Sequence, residues 1–181
     1  MPPRQTHSVT IGGLTRLLPL CRVGSTEKIA VLNLLGDSEL TQVAASGLAE
    51  KLKPLTPDIL VTAEAKSVAL IYQLALLLDL PWIVLRKSRR AYMGRCLSAE
   101  THSITTGKKQ TLYLDEKDRA LVQGSRVALI DDVISTGSTL SAMRRLIAKG
   151  GGEIAAVACV FTEGDVSDKE IISLGHLPLF R

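Results

Sequence analysis

The stretch VALIDDVISTGSTL, Val127 to Leu140, decides how the rest of the chain is read. Val127, Ala128, Leu129 and Ile130 follow one another without a polar break, so this strand is covered on both faces and belongs near the centre of a parallel sheet. In open α/β sheets ligands bind beyond the carboxyl ends of the strands, which is where Asp131 and Asp132 fall. Two neighbouring carboxylates repel each other and lose solvation, so each needs donors or a cation to stay ionised. Ribose hydroxyls and a bound magnesium ion would supply both. Ser135, Thr136, Gly137, Ser138 and Thr139 come next, where the chain turns from strand into helix. The unsatisfied N–H groups and positive dipole end of a helix start suit a phosphate, glycine lets the backbone approach it, and the hydroxyls add donors without bulk. A helix cap after an acidic turn is the plainer reading of the aspartates alone. A Walker-B strand is the other rival, but no G-x-x-x-x-G-K-[ST] occurs to partner it, and neither G-x-G-x-x-G nor H-E-x-x-H is present.

Outward from this stretch, strands and helices alternate. IAVLNLLG from Ile29 reads as a buried strand, and Leu40, Val43, Ala44, Gly47 and Leu48 recur at helical spacing behind the caps Asp37 and Ser38. DILVT is a strand, Val68, Ile71, Leu74, Ala75 and Leu78 mark a helix, and PWIVLRK is a further strand. Periodicity is lost from Ser88 to Thr101, after which SITTGKKQTLYL reads as two short strands joined around Gly107. RVALIDD, then SAMRRLIAK with Leu140, Met143, Leu146 and Ile147 on one side, then EIAAVACVF as the final strand complete the pattern. Such alternation predicts an α/β fold: a single domain with a central, mainly parallel sheet flanked by helices.

The chain has 181 residues, enough for one well-buried domain. It is 46% hydrophobic with only 3% aromatics, so its core is built of Leu, Ile, Val and Ala. No apolar stretch is long enough to span a membrane, and MPPRQTHSVT lacks the apolar centre of a secretory signal. Cys21, Cys96 and Cys159 have no metal-ligand spacing and are expected only to pack, so a reducing cytoplasm is the expected location. The formal net charge is +4, and its basic residues gather in LRKSRRAYMGR, followed by Lys108 and Lys109. That cluster reads either as a solvated loop or as a site for a small polyanion.

ALIDDVISTGST resembles the phosphoribosyl pyrophosphate (PRPP) signature of type I phosphoribosyltransferases: apolar strand, two acids, then T-G-x-T. VTAEAKS resembles the pyrophosphate loop of the adenine enzymes, and VLRKSRRAYM resembles their V-x-R-K strand end and the start of a mobile loop. The likeness runs from about Leu55 to Gly164 and is weak over the first 50 residues. It implies that Asp131 and Asp132 hold the ribose, directly or through Mg2+, and that Ser135 to Thr139 bind the 5'-phosphate. Glu64, Ala65, Lys66 and Ser67 would form the pyrophosphate loop, often built on a non-proline cis peptide, while Arg86 and Lys87 neutralise pyrophosphate. A lid over about 88–113 would exclude water, and a small base-binding hood would come from about 1–28 and 161–181 of the single domain 1–181. The adenine enzymes carry a lid glutamate that this chain lacks; Glu100 and His102 are either its substitutes or solvated loop residues. Phe161 either stacks on the base or is a core aromatic. The function implied is transfer of the phosphoribosyl group of PRPP to a purine, adenine first, with release of pyrophosphate, by a homodimer. The alternatives are a hypoxanthine, guanine or xanthine enzyme, or a PRPP-sensing regulator that binds nucleic acid. No helix-turn-helix pattern fits the N-terminal region, so nucleic acid is not the expected partner.

Overall fold

Thr6–Ile11 (β1) and Leu14–Val23 (β2) form an antiparallel hairpin that the sequence reading did not resolve into strands. Its turn is Gly12-Gly13, with φ of +52° and +83°, the left-handed values that a two-residue hairpin turn requires. A side chain at Gly12 would also meet Val43 Cγ1 at 2.7 Å. Val9, Ile11 and Leu18 point into the core and alternate with exposed residues. Glu27–Ala30 (β3) pairs antiparallel with β2 and closes a three-stranded sheet. The strand expected from Ile29 is therefore corrected: only Ile29 and Ala30 of it are in a strand, outside the parallel sheet. Val31 to Leu34 continue without regular structure, and Leu32 and Leu34 are buried by packing alone. A short apolar run signals burial, which a buried irregular segment satisfies as well as a strand does.

The computed structural model describes residues 5–102, 109–166, 168 and 170–181. Helix α1 (Ser38–Leu52) begins at Asp37, whose carboxylate accepts the Leu40 N–H at 3.0 Å, the predicted cap. The same carboxylate receives two donors of the Arg16 guanidinium, at 2.8 and 3.1 Å, which tie β2 to the head of α1. Next come β4 (Ile59–Ala63), α2 (Val68–Leu78), β5 (Trp82–Leu85), β6 (Leu97–His102) and β7 (Lys109–Leu114). The chain ends with α3 (Arg119–Val122), β8 (Arg126–Ile134), α4 (Ser138–Gly150), β9 (Glu153–Glu163) and β10 (Ile172–Leu177). One parallel sheet has the order β10-β9-β8-β4-β5, so β8 is its middle strand. The strand expected to be last, β9, is followed by β10, whose ISLGHL carries a glycine and a histidine and lacks a strand's apolar signature.

Alternate residues of the inner strands serve two cores. Leu60, Ala128, Ile130, Ala158 and Val160 pack with α1, α2 and the N-terminal hairpin. Ile59, Val61, Val127, Leu129 and Val157 pack with α4 and the β6–β7 hairpin on the other face. Each fully buried side chain contributes roughly 1.5 to 3 kcal/mol, and a strand such as β8 collects it on both faces. Of the two strands expected from Ser103 to Leu114, the second is β7, while 103–108 lie outside the described residues; its antiparallel partner β6 starts at Leu97, within the segment that showed no periodicity. Ala99, Leu112 and Leu114 are buried, and Arg145 and Lys149 of α4 donate to the carbonyls of Glu100 and Ser98. The arms of the expected lid are thus seated on the domain, while its turn around Gly107 lies outside the described residues.

Candidate functional site

The carboxyl ends of β4, β5, β8 and β9 share one edge of the sheet, and the predicted site residues gather there. Strand β8 continues two residues past Asp132, so the acid pair belongs to the strand itself rather than to the loop beyond it. Ser67, which is buried at the start of α2, donates its hydroxyl to Asp131 Oδ1 at 2.8 Å and lies 3.4 Å from Asp132 Oδ1. The Asp132 N–H also donates to Asp131 Oδ1, at 2.9 Å. Burial, then the neighbouring Asp132 carboxylate, push the Asp131 carboxyl up to about 7, because ionising it adds a second charge to a poorly solvated pair.

Asp132 is the less satisfied partner. Its Oδ2 is buried without a hydrogen bond, and the closest cation, Lys66 Nζ, stands 3.8 Å away. A buried carboxylate oxygen left in this state costs free energy unless a ligand supplies a donor or a metal. Among the described residues no cluster of three or more His, Cys, Asp and Glu side chains is assembled. Two carboxylates with an orphan oxygen suit Mg2+ nonetheless, since that ion keeps several waters and shares its remaining positions with substrate phosphates.

The turn after β8 reaches α4 through Gly137, the N-cap residue, at φ +72°. A glycine N-cap offers no side chain to the first-turn N–H groups, so their acceptor must come from elsewhere. Ser135 and Thr136 are exposed, and a cleft of about 40 Å³ joins Asp131 to Ser135, Thr136, Gly137, Ser138 and Thr139. Asp131 and the turn thus line one cleft, with Asp132 buried behind it.

At the end of β4 the peptide between Glu64 and Ala65 is cis. Ala65 and Lys66 are exposed, and Lys66 Nζ reaches back to the Leu32 carbonyl at 3.5 Å. Arg86 and Lys87 follow β5, and the carboxylate of Glu64 turns toward both. The backbone of Arg86 exchanges two 2.9 Å hydrogen bonds with Tyr113 of β7.

Other expected residues are placed differently. Phe161 is 3% exposed and in contact with Gly175, so its ring is a core element rather than a face open to a base. Glu100 is an exposed residue of β6 on the hairpin packed against α4, and the side chain of His102 lies outside the described residues. Cys159 is buried, its thiol pushed up to about 12 by desolvation, which agrees with a packing role; Cys21 is exposed, against that expectation.

Two groups at this edge escaped the sequence reading. Glu163 ends β9 almost buried, and desolvation raises its carboxyl, while Lys66 opposes the rise. The signal was available, because EIAAVACVFTE ends an apolar strand on an acid just as β8 does. Tyr92, which accepts from Arg86 Nη1 at 3.1 Å, sits in a segment without periodicity and left no signal.

The family model described as the phosphoribosyl transferase domain matches residues 38–171. The chain belongs to this family. Among curated phosphoribosyltransferases, it is 36% identical to a hypoxanthine/guanine phosphoribosyltransferase of Methanotorris igneus, over 60% of this chain and 55% of that one. An adenine phosphoribosyltransferase of Rhodospirillum rubrum is 28% identical over 72% of this chain and 73% of its own. The chain spans about half the length of the hypoxanthine/guanine enzymes it matches. Among solved structures, adenine phosphoribosyltransferase of Rhodothermus marinus superposes with a TM-score of 0.68 at 22% identity, covering 95% of this chain and 94% of that one. That likeness shows the phosphoribosyltransferase fold, including the parallel sheet. The matched region begins at α1, so β1 to β3 lie outside it.

Proposed function

We propose that the protein transfers the 5-phosphoribosyl group of PRPP to a purine base and releases pyrophosphate. The observation that carries this reading is the orphan Oδ2 of Asp132, buried beside Asp131, which itself lines the cleft at the turn before α4. Displacement at the anomeric carbon makes the sugar cation-like as pyrophosphate leaves. Carboxylates at the ribose and cations at the diphosphate stabilise the charges that develop. In this reading Asp131 and Asp132 hold the ribose hydroxyls, Ser67 orients the acid pair, and residues 135–139 bind the 5'-phosphate. Arg86, Lys87 and the loop from Glu64 to Ser67 face the diphosphate. Asp131 and Asp132 would hold Mg2+, which would supply charge neutralisation for the departing diphosphate. The same reading gives the segment 88–113 the role of a lid.

Adenine is the acceptor placed first, supported by the likeness of VTAEAKS and VLRKSRRAYM to the adenine enzymes. The second reading, a 6-oxopurine acceptor, is favoured by the higher identity of the relatives named for hypoxanthine and guanine. Incubation with Mg2+, PRPP and adenine, hypoxanthine, guanine or xanthine in turn tests both. Nucleotide and pyrophosphate are expected from adenine fastest. Rates at the protein-free level with every base, together with tight salt-sensitive RNA binding, would instead identify a regulator. The same reading includes a homodimer acting in the cytoplasm, and sedimentation of the purified chain as a monomer would remove the dimer from it.

A further inference from the structure

The carboxylate of Glu64 engages the Arg86 guanidinium and the backbone of Lys87, the two residues assigned to the diphosphate. Its Oε1 lies 2.8 Å from Arg86 Nε, and its Oε2 accepts the Lys87 backbone N–H at 2.7 Å. Glu64 also holds the Arg86 guanidinium more firmly protonated than usual, as a close carboxylate must. The contact is nevertheless imperfect. Arg86 Nε is buried and makes no hydrogen bond, so the carboxylate meets its charge without lying along its N–H. Both side chains are partly open, Arg86 at 31% and Glu64 at 26% exposure, so the glutamate can leave for water without crossing the core.

We infer that Glu64 is a resident anion, which holds the diphosphate subsite in the free protein and is exchanged for the diphosphate of the substrate. The inference rests on the assignment of Arg86 and Lys87 to that subsite. A diphosphate brings more negative charge and more acceptor oxygens than one carboxylate, including an acceptor able to align with Arg86 Nε, so it wins the exchange. The exchange has a cost, because an ion pair between half-exposed side chains is worth something and is given up on binding. Glu64 therefore weakens the hold on PRPP and on the pyrophosphate product alike. It hastens the departure of a product that two cations would otherwise retain. Lys87 is also the last residue before the 88–113 segment, and Arg86 is bonded to Tyr113 at the segment's other end. The carboxylate thus sits at the foot of the β6–β7 hairpin, and its release accompanies ligand entry.

Titration calorimetry with inorganic pyrophosphate and Mg2+ on the full chain and on Glu64→Gln tests this. Removing the charge while keeping an acceptor for the Lys87 N–H is expected to lower the pyrophosphate Kd about fivefold. Product inhibition by pyrophosphate should strengthen by the same factor, and the KM for PRPP should fall without a rise in kcat. Glu64→Ala is expected to tighten binding likewise and serves if Gln at this position disturbs the loop, with circular dichroism checking the fold of both. Equal or weaker pyrophosphate binding by the folded variants, with the wild type binding, overturns the resident anion and leaves the subsite intact. No binding by the wild type overturns the assignment of the subsite, and the inference with it.

Discussion

At the head of α4 a turn with a glycine N-cap presents backbone N–H groups and hydroxyls, whereas at the end of β5 the Arg86 guanidinium and the Lys87 backbone N–H already meet a carboxylate of the chain. One corner waits with its donors open, and the other is filled from within. In the proposed reaction the difference would suit two phosphoryl groups with different fates, a 5'-phosphate that stays on the sugar and a diphosphate that departs. Between the corners stand Asp131 and Asp132, where electrostatic strain is concentrated.

The largest expected effect is at the centre. Asp132→Asn keeps the shape and removes the charge that the developing cation faces, so kcat should fall about 100- to 1,000-fold with Tm unchanged or raised. A loss of less than about threefold would detach the acid pair from the chemistry. At the open corner, Gly137→Val places a β-branched residue at φ +72°, and a Cβ there meets nothing within 4 Å. The cost is therefore conformational rather than a collision, on the order of 1 to 3 kcal/mol, and PRPP binding should weaken at least about tenfold as the turn distorts. Unchanged PRPP affinity in calorimetry would mean that the phosphate is held elsewhere. The self-filled corner responds in the opposite direction, with the roughly fivefold gain in pyrophosphate affinity expected for Glu64→Gln.

The acid pair also predicts a pH dependence of stability. The folded chain binds the Asp131 proton up to about pH 7, well above the unfolded value. Between those two values the folded state carries more protons than the unfolded state, so stability falls as pH rises through this window. Without ligand, the decline from about pH 4 to pH 7 should be on the order of a few kcal/mol. Asp131→Asn should flatten it, as should saturating Mg2+ with PRPP, and thermal melts across this range provide the check. Equal slopes for the wild type and the variant would show that the pair is solvated. The smallest effect is expected at Arg16→Gln, which loses the fork onto Asp37 and its contact with Glu39. Tm should drop slightly, and the KM for the base should rise more than that for PRPP. The reverse order would separate the N-terminal sheet from base binding.

Much of the candidate site was legible because it is encoded locally. An unbroken apolar strand, two acids and a small-residue turn lie in one stretch, and Asp37, α1, α2 and α4 follow from caps and helical periodicity. The N-terminal sheet was not legible. Its strands depend on pairing partners and on packing against α1, and its irregular continuation to Leu34 is as buried as a strand. Phe161 was readable either way, and only the approach of Gly175 from β10 placed it in the core. β10 itself is made a strand by its partner β9 rather than by its own composition.

By itself the sequence determined the periodic elements, the central strand and the acids and small residues at its end, since each needs only neighbours in the chain. The tertiary structure decided what joins residues far apart: Ser67 with Asp131, Glu64 with Arg86, and Lys66 with Asp132. Those contacts depend on where neighbouring strands come to rest side by side. No local pattern specifies which distant carboxylate will meet which cation, because strand pairing and burial fix that choice only as the chain packs.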